Sequence, residues 1–232
     1  MLLTIALLAQ NEAAQKLADP VHKAADWRAY SYNLTLGSII SEGVWEKEGK
    51  SSRKSGGVEE ITINGKTVVK NSDGTWTSSA SATTPAPKKG KKAKKAAKST
   101  AKSTDTRLPV EYLAGLDQKF FAVTSSADGD NTVYSGELTS EATAALFTAP
   151  KKKKAAAAAP VDTRANAKVT VDKDGNIARV EISIGGAETQ VNPKGKATKG
   201  KAAAQPKKIL ITFADINKAT VSIPDEARKA LP

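Results

Sequence analysis

The chain contains no cysteine, which excludes disulfides and thiolate metal sites. It contains one histidine, His22, which excludes a metal site built from several imidazoles. No apolar run reaches the ~20 residues that a membrane-spanning helix needs. Because no nucleophile, base and orienting group can be assembled from the remaining residues, we predict a protein that is not an enzyme. We expect no cofactor, no metal and no integral membrane span.

The apolar segment at the start of the chain, residues 2–9, has the length of the hydrophobic region of a secretory signal. Residues Ala6 to Ala9 offer small side chains suited to cleavage, but no Lys or Arg precedes the segment. The alternative is that these residues form the first turns of a folded helix. We favour a signal-peptide remnant over residues 1–10, followed by a single domain over residues 11–232.

The positive charge of the chain is segregated. The sequence has 36 Lys and Arg against 24 Asp and Glu, and three tracts without any acid hold eighteen of the bases. These tracts are residues 88–103, 151–154 and 194–208. Without them, 18 basic residues stand against 24 acidic ones. The sequence pI near 9.7 therefore belongs to the tracts, and the rest of the chain is mildly acidic.

The lysine tracts lie within low-complexity segments at about 78–105, 150–160 and 192–206. Such segments cannot bury enough apolar surface to offset their ordering entropy, so we predict long, disordered Lys/Ala-rich loop insertions. They either contact a polyanion, meaning nucleic acid or an anionic envelope polymer, or bind nothing specific. The candidate contact residues are Lys88, Lys89, Lys91, Lys92, Lys94, Lys95, Lys151, Lys152, Lys153 and Lys154.

Outside the insertions, apolar and polar residues alternate with the period of a β-strand. Residues 30–36 alternate strictly, and a second strand is predicted over residues 44–48. Asn64-Gly65 predicts a hairpin between residues 58–63 and 67–70, because a type I′ turn needs positive φ at both central residues. Further strands are predicted over residues 119–125, 132–137, 167–172, 177–184, 209–213 and 220–223.

Short helices separate these strands. Asp19-Pro20 has the pattern of an N-cap followed by the first helical residue, which predicts a helix over residues 20–27. The alternative is that this helix continues a preceding one over residues 12–17. Others are predicted over residues 108–116 and 141–147 and after Pro224. Since each strand has one polar face, we predict an α+β fold. It consists of a single curved antiparallel sheet of about ten strands with short helices on the concave side.

Several phrases resemble the LolA/LppX–LprG group of envelope lipoprotein and lipid carriers. They are WRAYSYNLTL, SEGVWEKEGK, VEEITINGKTVVKNSDGTW, YSGELTSEATAALF, AKVTVDKDGNIARVEISI and ILITFADINKATVSIPDEA. The resemblance implies an open half-barrel whose concave apolar face, covered by helices, holds acyl chains. It also implies a periplasmic or secreted cell-envelope protein, and we expect a monomer. The lysine tracts are not part of the family pattern.

Eight large side chains on the predicted strands are candidates for the lining of an apolar cavity. They are Tyr30, Tyr32, Leu34, Trp45, Ile61, Trp76, Phe121 and Tyr134. The alternative is that they simply form the core between the sheet and the helices. The sequence therefore predicts a non-enzymatic carrier whose partner is a lipid or lipoprotein acyl chain. The alternative is a polyanion-binding protein that acts through its lysine-rich loops.

Overall fold

The computed structural model describes residues 2–79, 107–147, 164–184 and 208–231. Three α-helices occupy Leu2–Ala25 (α1), Ser140–Phe147 (α2) and Asp225–Ala230 (α3). Two 3₁₀ helices occupy Pro109–Tyr112 and Leu116–Lys119. The strands are β1 Ala29–Leu36, β2 Ile39–Glu46, β3 Lys50–Ser55, β4 Val58–Ile63, β5 Lys66–Lys70, β6 Trp76–Ser78, β7 Phe120–Asp128, β8 Asn131–Leu138, β9 Ala165–Val171, β10 Ile177–Ile184 and β11 Lys208–Ala214. Except for Ser78 and Ser79, the three predicted insertions lie outside the described residues.

All these strands belong to one antiparallel sheet, in the order β6-β5-β4-β3-β2-β1-β11-β10-β9-β8-β7. The chain first runs outward from β1 to the edge at β6. It resumes at the opposite edge with β7 and returns strand by strand until β11 pairs with β1. Because β6 and β7 lie at opposite edges, the sheet stays open. The predicted α+β half-barrel is confirmed.

Local turn chemistry explains the hairpin between β4 and β5. Asn64 has a φ of 49° and Gly65 a φ of 78°, as a type I′ turn requires, so this prediction is confirmed. The sequence did not predict β3, whose six residues, KSSRKS, include no apolar side chain. This strand is held by its backbone pairing with β2 and β4.

The first helix differs from the prediction. Asp19-Pro20 does not begin a new helix, because α1 runs unbroken from Leu2 to Ala25 with Pro20 inside it. Proline within a helix costs about 3 kcal/mol. The buried stripe Ala13, Leu17, Val21 and Ala24 continues through this position at helical spacing. We infer that packing of this stripe against the sheet outweighs the local cost.

The predicted strand over residues 220–223 is wrong. Among the described residues this segment pairs with no strand, and its Val221 N–H instead donates to Glu46 Oε1 at 2.6 Å. Without a neighbouring ladder an extended segment does not become part of a sheet. The short terminal helix predicted after Pro224 is confirmed as α3.

Two hydrophobic clusters lie on opposite faces of the sheet. The larger one fills the concave side over β1 and β7–β11, where α1, α2 and the 3₁₀ helices pack against the strands. The smaller one contains Ile61, Val68 and Ala227, with Trp76 packed against it. It lies where α3 covers β5 and β6. The helices therefore fill the concave face over one half of the sheet and leave it open over the other half.

Candidate ligand cleft

A cleft of about 330 Å³ lies in the open half of the concave face. Strands β1 to β5 form its floor, and residues 107–109, which we call the rim, border it. The volume falls at the lower end of the ~300–1,000 Å³ typical of ligand sites. The lining residues are Tyr32, Leu34, Leu36, Ser41, Trp45, Ser51, Arg53, Glu60, Thr62, Thr67, Arg107, Leu108 and Pro109.

Strand register brings the central lining residues into one row. Tyr32 pairs with Gly43, Gly43 with Arg53, and Arg53 with Glu60, across β1 to β4. A Cβ at Gly43 would overlap the Ser52 carbonyl oxygen and lie 2.8 Å from the Tyr32 hydroxyl oxygen. Gly43 therefore leaves space for the Tyr32 ring to extend over β2 toward β3. We call Tyr32, Arg53 and Glu60 the polar row.

One side of the cleft is apolar. Its lining there consists of Leu34 and Leu36 of β1 and the rim residues Leu108 and Pro109. Trp45 also lines the cleft, and its ring stacks on that of Tyr30 with centroids 5.3 Å apart and planes inclined by 28°. We call Leu34, Leu36, Leu108 and Pro109 the apolar wall.

The other side of the cleft is polar. Arg53 donates to Glu60 Oε2 from Nε at 3.0 Å and from Nη2 at 2.6 Å. Both side chains remain about one third exposed, at 32% and 31%. Burial raises the pKa of Tyr32, so its phenol stays protonated at neutral pH. The cleft thus presents a neutralised ion pair and hydroxyl groups opposite an alkyl surface.

Arg107 anchors the rim to the end of α2. Its Nη2 donates to the Leu146 carbonyl at 2.9 Å and its Nη1 to the Ala145 carbonyl at 3.3 Å. Its guanidinium also lies 4.6 Å from the centroid of the Tyr112 ring. Cations at a helix C-terminus satisfy carbonyls that lack an intrahelical partner. This arrangement fixes the distance between the rim and the helices.

Three of the eight predicted lining residues, Tyr32, Leu34 and Trp45, do line the cleft. Two others, Tyr30 and Tyr134, lie in the packed concave core, 0% and 5% exposed. Burial raises the pKa of Tyr30, whose hydroxyl lies beside the backbone of Val110 without a well-aligned hydrogen bond. Tyr30 and Tyr134 therefore lie where the alternative interpretation placed them, in the core between the sheet and the helices.

The remaining three candidates, Ile61, Trp76 and Phe121, are not among the residues that line the cleft. Ile61 and Trp76 belong to the cluster on the opposite face, because Glu60 and Thr62 of the same strand face the cleft and strand side chains alternate. Phe121 is 62% exposed beneath the Arg164 guanidinium. A bulge between Phe120 and Ala122 shifts the alternation and lets Phe120 pack against the core instead.

Sequence reasoning missed the polar half of the lining. Arg53 was not predicted because β3 has no alternation of apolar and polar residues. Glu60 was not predicted because it lies beside Glu59, and two adjacent glutamates are typical of a solvent-exposed position. One usable signal was the Gly56-Gly57 turn, about which residues 53 and 60 sit nearly symmetrically as opposite charges. Opposite charges directly across two strands form a favourable cross-strand pair.

The ten lysines predicted to contact a polyanion lie outside the described residues. Within the described ranges, no three His, Asp or Glu side chains converge as a metal site would require. None of the helices in those ranges combines the length and apolar character needed to cross a membrane.

Solved structures that share this fold include two mycobacterial proteins. LprF from Mycobacterium bovis has a TM-score of 0.50 at 14% identity, covering 94% of this chain and 98% of that one. The lipoprotein LppX of Mycobacterium tuberculosis has a TM-score of 0.50 at 10% identity, covering 91% and 98%. No family model matches the chain, and no curated protein matches its sequence. The resemblance predicted from the sequence is thus confirmed for the fold.

Proposed function

We propose that this protein is a non-enzymatic carrier of the cell envelope, periplasmic or secreted, that shields an acyl chain of a lipid or lipoprotein. The observation that carries the proposal is the cleft on the β1 side of the sheet, whose lining includes four apolar side chains of β1 and the rim. Each methylene removed from water there contributes about 0.8 kcal/mol. A short alkyl segment therefore supplies enough free energy for specific, reversible binding.

The filled and open halves of the concave face suit such a role. The packed core over β7–β11 keeps the sheet rigid, since its side chains are almost fully buried. Outside the sheet, the described residues that border the cleft over β1–β5 are those of the rim, which is held to α2 through Arg107. A small displacement of this segment would widen the cleft without opening the main core. The shared fold of the lipoprotein LppX is consistent with a place in the envelope.

Native mass spectrometry of gently purified protein tests the proposal. We expect an adduct with the mass of a lipid, or uptake of one equivalent of a fatty acid or monoacylglycerol after delipidation. A circular dichroism spectrum should show that the delipidated protein retains its sheet. A folded protein that neither carries nor takes up any of these molecules would refute the carrier role.

The segregated charge supports a second, separable candidate, binding of a polyanion through the lysine tracts. Half of the 36 basic residues lie in these tracts. Binding through them should be independent of sequence and should weaken steeply with salt. A salt titration against DNA and against anionic vesicles, with a variant lacking all three tracts as control, tests it. Salt-independent binding, or binding that survives the deletion, would contradict it.

A further inference from the structure

The polar row lies within the cleft itself. The ion pair between Arg53 and Glu60 uses one of the two carboxylate oxygens, since both Nε and Nη2 of Arg53 donate to Glu60 Oε2. Among the described residues, Arg53 Nη1 and Glu60 Oε1 have no hydrogen-bond partner, and neither has the Tyr32 hydroxyl. The polar row therefore offers donors and an acceptor to a molecule that enters the cleft.

An alkyl chain is a poor match for this surface. It would displace water from the ion pair and return no hydrogen bonds, and a polar group left unpaired costs about 1–3 kcal/mol. A chain that lies along the apolar wall avoids this cost. The far end of the bound molecule then faces Arg53 and Glu60, so this end should carry polar atoms.

The charges of the row discriminate between kinds of head group. A carboxylate would be attracted by Arg53 and repelled by the neighbouring Glu60, and an ammonium group would meet the opposite pair of effects. Arg107 also lines the cleft, but its guanidinium donates to the Ala145 and Leu146 carbonyls at the border. A neutral group with hydroxyl and ester oxygens can accept from Arg53 and donate to Glu60 at the same time. It is the one class that uses both partners without like-charge repulsion.

We infer that the cleft selects amphiphiles with an uncharged head group that carries hydroxyl or ester oxygens, held by Tyr32, Arg53 and Glu60. The alkyl chain of the amphiphile lies along the apolar wall. The inference rests on the proposed carrier function and specifies the class of molecule carried.

Calorimetric titration below the micelle concentration tests the inference with three probes of equal chain length. They are dodecanoic acid, 1-monododecanoylglycerol and dodecyltrimethylammonium. We expect the glycerol monoester to bind at least about tenfold more tightly than either charged probe, the factor that one hydrogen bond to a charged group supplies. Equal affinities for the three probes would overturn the inference and leave the carrier function standing. If none of the probes binds, both the head-group inference and the carrier function are refuted.

The substitution Glu60→Gln separates charge from shape. It removes the negative charge but keeps a side chain of the same size, so dodecanoic acid should gain about tenfold in affinity and the preference for the monoester should shrink. The matched control is Glu59→Gln, which lies on the same strand facing the other way, where Glu59 pairs with Lys70 at 3.1 Å. An identical probe ranking in wild type and Glu60→Gln, or an equal change in Glu59→Gln, would overturn the inference.

Discussion

A tryptophan placed at Ser51 should block the cleft. Ser51 lies on β3 directly across from Trp45, and both line the cleft. Aromatic residues are well tolerated in strands, so Ser51→Trp should fold. At about 25 cal/mol per Å², one methylene corresponds to about 30 Å² of apolar surface. An indole that occupies ~90 Å² of the cleft beside Trp45 therefore excludes about three methylenes, which costs ~2.4 kcal/mol, or about fiftyfold in affinity.

The measurement is equilibrium titration with a fluorescent fatty acid or monoacylglycerol, alongside circular dichroism and thermal unfolding. The matched control is Lys54→Trp, three residues further along β3 and therefore on the opposite face. Lys54 is well exposed, and its ion pair with Glu42 at 3.4 Å contributes little to stability. We expect the control to bind like wild type. Wild-type affinity in a folded Ser51→Trp protein, or an equal loss in both variants, would refute the placement of the ligand.

Three further predictions concern the scaffold. A Cβ at Gly136 would overlap the carbonyl oxygen of Ala122, so Gly136→Ala should lower the unfolding free energy by about 1–3 kcal/mol, whereas Ser135→Ala should change it little in the same urea titration. Ile61 is 1% exposed on the face away from the cleft, so Ile61→Ala should cost about 2–5 kcal/mol while leaving lipid affinity intact; a loss of affinity at full folding would contradict this placement. The hydrogen bond from the Val221 N–H, and then Lys50, lower the pKa of Glu46 from its ordinary value of 4.5. The ionised carboxylate therefore stabilises the fold at pH values above 4.5, and this stabilisation is lost as the pH falls through the lowered folded-state pKa. Urea midpoints measured from neutral pH down to pH 3 should therefore fall less in Glu46→Gln than in wild type, and identical pH profiles would refute the role of this contact.

Turn chemistry and strand alternation were enough to predict most of the sheet. The β4–β5 hairpin follows from Asn64-Gly65, and β1 follows from the strict alternation of residues 30–36. Strand β3 could not be found in this way, because its KSSRKS sequence has no apolar face and depends on partners on both sides. Local signals also failed at Pro20, where the packing of a long amphipathic stripe outweighs a helix-breaking residue.

The candidate site was predictable only in part, and the reason is geometric. Alternation shows that Ile61 faces one side of β4 and Glu60 the other, but it does not show which side is concave. That choice depends on α3, whose Ala227 packs against Ile61 and Val68 from the outer face. This contact joins residues far apart in the chain, so it cannot be predicted from the pattern of β4 alone. From that pattern the apolar Ile61 was predicted to line the cavity, and Glu60, which does line the cleft, was not.

Tryptophan quenching by brominated acyl chains tests the central claim most directly. The chain has three tryptophans. Trp45 lines the cleft, Trp76 lies on the opposite face, and Trp27 is 2% exposed in the core. Bromine quenches only indoles in close contact, so wild type and Trp76→Phe should be quenched on binding, whereas Trp45→Phe should lose most of the quenching. Quenching that persists in Trp45→Phe and disappears in Trp76→Phe would place the acyl chain on the other face of the sheet and contradict the account.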